Sequence, residues 1–305
     1  MLRGLYTAAA GMLTQQRRHD TITNNIANMN TPGFKQATTV QRSFPEMMIA
    51  AMGTDQQGPS PFIGNMYNGV FGEESVSLHV QGDLQETYNP YDFALVSNLG
   101  VNDAAGNPMI FDATGQNIDA NGTRTFQPQP FFAVLNGQGE QRYTLNGKFT
   151  ANENRELVTL DGNRVLGNDG QPIVLTDANG EAISDFRVTA SGAFVDHEGN
   201  PIVNANGDPL SLLIMKAQDP NRMLLEGNGL YTINPEDQAT LVAIDPNNPL
   251  DNVEVRQGFI ERSNVDSTQS MIDLMSAMRN YEANQKMIQY YDKSLEKAVN
   301  EVGRV

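Results

Sequence analysis

The stretch TNNIANMNTPGFK, Thr23 to Lys35, decides how the chain is read. It begins as the last turns of an amphipathic helix and stops at Pro32 and Gly33, a pair that does not continue one. Four of its first eight residues are asparagines: Asn24, Asn25, Asn28 and Asn30. Asparagine is a poor helix former because its amide competes for nearby backbone groups. A helix end this rich in donors and acceptors is either a fraying terminus with turn chemistry or a place where side chains bridge to other backbones. Asn24 and Asn28 lie four apart and share a face. Asn30, Thr31, Pro32 and Gly33, followed by Phe34, turn the chain out of the helix.

Upstream, positions 5, 8, 12, 15, 19, 22, 26 and 29 read Leu5, Ala8, Met12, Gln15, His19, Ile22, Ile26 and Met29. The alternating spacing of three and four is that of a coiled-coil seam. The other end of the chain repeats it: Met271, Leu274, Met278, Tyr281, Gln285, Ile288, Asp292, Leu295, Val299 and Val302. Asp266 is placed to cap that helix, with Gln269 as a capping-box partner. A helix over 266–303 would be roughly 50–60 Å long at 1.5 Å per residue. With a single apolar seam it needs a partner. The helix at the opposite end of the chain is one, and neighbouring copies of the chain are another.

The middle differs in kind. Residues 53–257 hold 22 of the 27 glycines and 13 of the 15 prolines. One pattern recurs there: DAAGNP (103–108), NDGQP (168–172), DANGE (177–181), DHEGNP (196–201) and NANGDP (204–209). Asp or Asn starts each turn through a side-chain bond to the backbone, and Gly supplies positive φ, so these are expected to be hairpins. The alternating carboxylate ladder of a calcium loop is missing from every copy, so no metal site is expected.

Charge divides the same way. Residues 53–257 carry 27 acids against 9 bases, whereas 1–52 and 258–305 together carry 9 against 11. No basic stripe exists to displace counterions, so nucleic acid is not an expected partner. The acidic middle should face solvent. The chain has no cysteine, which excludes disulfides and thiolate metal sites. MLRGLYTAAAGMLTQQ lacks a leader's continuous apolar run, and nothing approaches a membrane span. Export, if it occurs, would use a route that cleaves no leader. The three histidines, His19, His79 and His197, show no sign of converging, and no phosphate-loop, nucleophile-elbow or zinc-protease motif is present. No catalytic or cofactor-binding residues are assigned.

The segment NNIANMNTPGFK after an amphipathic helix resembles the N-terminal signature of the bacterial flagellar rod and hook proteins. GFIERSNVDSTQSMIDLMSAMRNYEANQKMIQYYDKSLEKAV resembles their C-terminal pattern, on Gly258, Glu261, Ser263, Asn264, Val265, Arg279, Tyr281, Glu282 and Asn284. QGDLQETYNPYDFAL and RYTLNGKFTANENRELVTLDGNRVLG resemble the family's first β region, and RSFPEMMIAAM with the overall length is closest to distal-rod members. One departure is a separation of FALVSN (93–98) from PFFAVLNGQGEQRYT (130–144) by an inserted region.

The resemblance implies an α+β chain whose terminal helices form a coiled-coil domain around a β-rich, barrel- or sandwich-like middle. The expected organisation is a helical domain over 1–45 plus 258–305, a linker or extended segment at 46–75, and an outer β domain over 76–257 with an inserted hairpin region at about 99–129. The implied function is a structural, non-enzymatic subunit of the basal-body rod near the hook junction. It would be exported through the flagellar type III apparatus and polymerised into a torque-transmitting tube outside the cytoplasm. Its partners would be copies of itself and other rod and hook proteins, with no nucleic acid, membrane insertion or cofactor. Expected interface residues are Leu5, Met12, Ile22, Asn24, Asn25, Ile26, Asn28, Asn30, Thr31, Pro32, Gly33, Phe34, Ser263, Asn264, Val265, Asp266, Met271, Leu274, Met278, Tyr281, Asn284, Ile288 and Leu295. Alternatives are a hook or hook-scaffolding component, a secreted β-rich binding protein with a helical stalk, or an enzyme built on the β domain.

Overall fold

The computed structural model describes residues 2–50, 62–66, 68–102, 107–112, 115–119, 122–176, 183, 185–204, 207–245 and 250–302. An N-terminal helix, a β-rich middle and a C-terminal helix follow one another along the chain. Two compact units result. A helical unit comprises Met1–Ala27, Ala37–Ser77 and Val265–Val305, and a β unit comprises Asn28–Gln36 and Leu78–Asn264.

The β unit is built on Gln129–Leu135, whose residues are all buried except the last. This strand pairs antiparallel with Gln141–Thr144, Arg164–Val165 and Ile214–Ala217, at the centre of a nine-stranded sheet. Side chains alternate across a strand, and here each face meets its own core. Phe132 and Val134 join Phe93, Phe149, Leu157, Phe194 and Val255 on one side. Phe131 and Ala133 join Tyr143, Leu166, Met223 and Tyr231 on the other. Burial on both faces explains why QPFFAVL reads as a continuous apolar run. Phe93–Leu99 pairs with Asp251–Gln257, and Leu84–Glu86 pairs with Phe259–Glu261.

The recurrent turns behave as their residues require. Asp196 accepts from the Glu198 and Asn200 amides through Oδ1, while its carbonyl accepts from the Gly199 amide. Asn204 repeats the arrangement with Asp208 and Gly207, and both glycines have φ of +87°. In NDGQP the turn begins one residue earlier, because the Gly167 carbonyl accepts from Gly170. DANGE and most of DAAGNP lie outside the described residues. Within the inserted region, Gln116–Ile118 pairs with Arg124–Phe126 as a hairpin.

In the helical unit, α1 (Leu2–Ala27) and α2 (Ser267–Lys297) lie antiparallel. Gly4 backs onto Tyr291, Gly11 onto Asn284, and Arg18 pairs with Asp273 at 3.2 Å. Ala37–Ser43 and Val70–Ser77 form an antiparallel ribbon along α1, where the Thr39 and Thr21 hydroxyls meet at 2.8 Å. Met47–Ala50 pairs with Phe62–Met66 in the stretch expected to be extended.

Three local expectations change. Helix α1 ends at Ala27, five residues before Pro32, because the Asn28 carbonyl and side chain both accept from Thr31 and close a turn. Asp266 caps α2 through the Thr268 and Gln269 amides, but the Gln269 side chain reaches forward to Asp273 instead of closing a capping box. The third concerns the faces of the helices. On α2 the less exposed line runs Ser270, Leu274, Ala277, Tyr281, Asn284, Ile288, Tyr291, Leu295. Four of these are expected seam positions; the others stand one residue before the expected Met271, Met278, Gln285 and Asp292. On α1 the contacts with α2 fall at Gly4, Gly11 and Arg18, one residue before Leu5, Met12 and His19. The glycines at 4 and 11 leave room for Tyr291 and Asn284, so the two helices approach closely there.

Candidate assembly interface

The rotation puts small residues, Ser270 and Ala277, at the buried positions of the first turns of α2 and leaves large apolar neighbours there exposed. Ala277 is fully buried, and Ser270 is buried beside Asp266, whose carbonyl accepts from its amide. Met271, Ile272 and Met275 are each 52% exposed and Met278 is 48% exposed. On α1, Tyr6 and Leu13, seven apart on one face, are 69% and 60% exposed. Among the described hydrophobic residues of the helical unit only Ala8, Ile22 and Ala277 are buried, against a large two-sided core in the β unit. Long helices with so little internal burial are marginal in water, and contiguous exposed apolar residues mark a contact surface.

The expected interface residues divide by position. Met271 and Met278 are exposed; Leu5, Met12, Ile26, Leu274, Tyr281, Asn284, Ile288 and Leu295 are half-buried; Ile22 is buried. A groove between the helices brings Met278 and Tyr281 to Gln16, His19 and Asp20. In the β unit a second cleft joins Asn30 and Pro32 to Leu84, Glu86, Arg262 and Ser263. Asn24 and Asn30 are exposed, Asn28, Thr31, Phe34 and Val265 half-buried, and Asp266 serves as the α2 cap.

Besides Asn28, Thr31 and Asp266, three expected interface residues bond to more distant segments of the chain. Asn25 is buried and exchanges two hydrogen bonds with the Ala37 backbone, at 2.8 and 3.0 Å, fixing the helix end to the ribbon. Asn264 accepts from the Gln36 amide at 2.7 Å and donates to the Leu78 and Val80 carbonyls. Gly33 has φ of +72° and donates to the Glu261 carbonyl; a Cβ there would stand 2.6 Å from the Leu145 carbonyl carbon, so only glycine fits.

The two terminal signatures therefore meet in the β unit, around an ion pair that reading the sequence for interfaces missed. Lys35 Nζ lies 2.6 Å from Glu261 Oε1, both side chains are buried, and Nζ also donates to the Val80 carbonyl at 3.0 Å. The Gly82 amide donates to the same carboxylate oxygen at 2.7 Å. The available signal was one Lys after Pro-Gly-Phe and one Glu in the apolar GFIE; neither has a period to betray it. His79 is buried nearby, with neither ring nitrogen meeting a hydrogen-bond partner among the described residues. Burial, with the Lys35 ammonium second, pushes it down to about 3. His19 stands on α1 beside Asp20, and His197 lies in an exposed turn near Asp185. Among the described residues no group of three or more His, Asp or Glu could hold a metal, and no helix is long and apolar enough to cross a membrane.

Comparison with known proteins accounts for this arrangement. The family described as flagella basal body rod protein matches residues 5–35. The flagellar hook protein FlgE/F/G D1 domain matches 127–247, and the flagellar basal body rod FlgEFG protein C-terminal family matches 256–301. Over 309 residues and the whole of both chains, the protein is 33% identical to the flagellar hook-basal body complex protein FlhO of Bacillus subtilis (strain 168). It is 28% identical to the flagellar basal-body rod protein FlgG of Agrobacterium fabrum (strain C58 / ATCC 33970), over 96% of each chain, and 28% identical to FlgG of Bacillus subtilis (strain 168), over 98% of this chain and 99% of that one. With its full length matched and the three family segments in order, the chain belongs to the flagellar basal-body rod and hook family, structural proteins of the bacterial flagellum.

Proposed function

We propose that this protein builds the part of the rod near the hook junction, with the exposed faces of α1 and α2 buried against neighbouring copies as a coiled coil. The observation that carries this is the apolar face that α2 leaves in water, Met271, Ile272, Met275 and Met278, beside the buried Ala277. A helix serving only its own chain would keep a single apolar stripe facing inward and a polar face outward. Placement near the junction rests on the likeness of the RSFPEMMIAAM segment and the chain length to distal-rod members. Matches to both rod-named and hook-basal-body-named relatives support a rod or hook role at large. Export through the flagellar type III apparatus suits helices that gain most of their burial on assembly. Asn24, Asn28 and Asn30 supply bonds between adjacent subunits. A strain lacking the protein should be non-motile, with basal bodies that end before the hook and are restored by the full-length gene. Complete hooks on normal rods in that strain would refute the placement.

A further inference from the structure

The Lys35–Glu261 cluster does more than fill space. It ties three stretches of the β unit together. Leu78–Asp83 is bonded on one side to the segment after α1, through Leu78 to the Gln36 carbonyl and Lys35 to the Val80 carbonyl. On the other side it is bonded to the segment before α2, through Gly82 to Glu261, Arg262 to the Asp83 carbonyl, and Asn264 to Leu78 and Val80. Lys35 and Glu261 lie 226 positions apart in sequence. The cluster thus joins the two chain ends from which the helices spring.

His79 is held within this joint. Gln129 Nε2 donates to its carbonyl at 2.6 Å, yet its own ring is buried without a hydrogen-bond partner among the described residues. The charged group acting on it is Lys35, after α1; Lys35 is paired with Glu261 on Phe259–Glu261, and Glu261 in turn acts on Tyr231 of Leu230–Ile233. A proton on the imidazole would place a second, unpaired cation in a dry site beside the Lys35 ammonium, which burial makes costly. Neutral imidazole is therefore the form compatible with the closed joint. We infer that Lys35, Glu261 and His79 form an acid-sensitive latch, closed while His79 is neutral and opening more often as the pH falls, because only the open joint lets His79 take up a proton.

The sign follows from linkage. In the open joint the imidazole returns to its ordinary value of 6.5, whereas the closed joint holds it near 3, so opening takes up a proton between these values and the latch weakens as pH falls below 6.5. The open fraction should rise about 25-fold between pH 7 and pH 5. Hydrogen exchange on the full-length monomer, corrected for the intrinsic rate at each pH, reads this directly. The Gly33, Gln36 and Gly82 amides should lose about 25-fold in protection from pH 7 to pH 5, while Ala133, whose amide donates to Leu213 in the central strand, should keep its own. His79→Phe should remove most of the fall. A wild-type fall below about threefold, an equal fall at Ala133, or an undiminished fall in His79→Phe would overturn the inference. Should His79→Phe not fold, NMR titration of the wild-type ring decides. A ring that stays neutral at pH 5 in the folded protein supports the latch, and one that titrates near its ordinary value overturns it.

Discussion

Met278→Asp separates the two faces of α2. Met271, Ile272, Met275 and Met278 each leave about half their surface in water. Full burial of such a side chain stabilises by roughly 1.5–3 kcal/mol, so covering the remaining halves would contribute roughly 3–6 kcal/mol per subunit. An aspartate at 278 forfeits its share of about 1 kcal/mol and adds several kcal/mol for desolvating an unpaired carboxylate. The contact should weaken by on the order of 4 kcal/mol, a factor of about a thousand. The monomer should lose far less, about 1 kcal/mol, because Met278 already leaves half its surface in water even though it lines the groove beside Asp20. Ala277→Leu is the counterpart: at a fully buried position facing into the unit, overpacking should cost about 1–3 kcal/mol and reduce helix content before any assembly. The assay compares secreted monomer with basal-body-incorporated protein, alongside circular dichroism of each purified variant. The expected result for Met278→Asp is a wild-type monomer spectrum with little incorporation. Normal incorporation and motility in that strain would show that this face is not an interface and would remove the main support for the assembly reading.

Further outcomes test other parts of the reasoning. Limited proteolysis of the purified monomer should trim the helical ends and spare a core spanning Leu78–Asn264, since the helical unit buries little; equal resistance of both ends would contradict this. Asn25→Ala should destabilise the helical unit by about 1–3 kcal/mol in the monomer, because it removes both bonds that the buried Asn25 makes to the half-buried Ala37 backbone, as seen in a lowered thermal midpoint. Asn24→Ala with Asn28→Ala should cost the monomer about 1 kcal/mol through the lost Asn28–Thr31 bond and lower incorporation into the rod by far more; incorporation that falls no further than the melt would return these residues to turn chemistry. Gly199→Ala should cost about 1–2 kcal/mol and disturb only its own hairpin, because φ is +87° but no atom stands within 4 Å of the added Cβ.

Local chemistry was legible in the sequence wherever a short stretch contained its own cause. The spacing of three and four at both ends marked two helices. Asp266 marked where the second begins, and Asp196 with Gly199 marked a hairpin turn. The paired terminal signatures also carried the family, because they are contiguous words at opposite ends of the chain.

What the sequence left open was the choice among partners. Its periodicity marked an apolar face on each helix but not what would cover it, and the apolar line and the small-residue line stand one residue, about 100°, apart. Antiparallel packing selects the line of Gly4, Gly11, Ser270 and Ala277 for the chain's own interior, because small side chains let the helices approach. The methionines, which sequence reading placed on the seam, are left outside. The joint at Lys35, His79 and Glu261 was equally hidden. Each of its members is a single residue without a repeat, and 226 positions separate the two charges that pair. A local pattern therefore determined which elements form and how they start and stop. Only the folded chain, by bringing distant residues within bonding distance and excluding water from between them, decided which faces are spent inside the molecule and which remain for contact outside it.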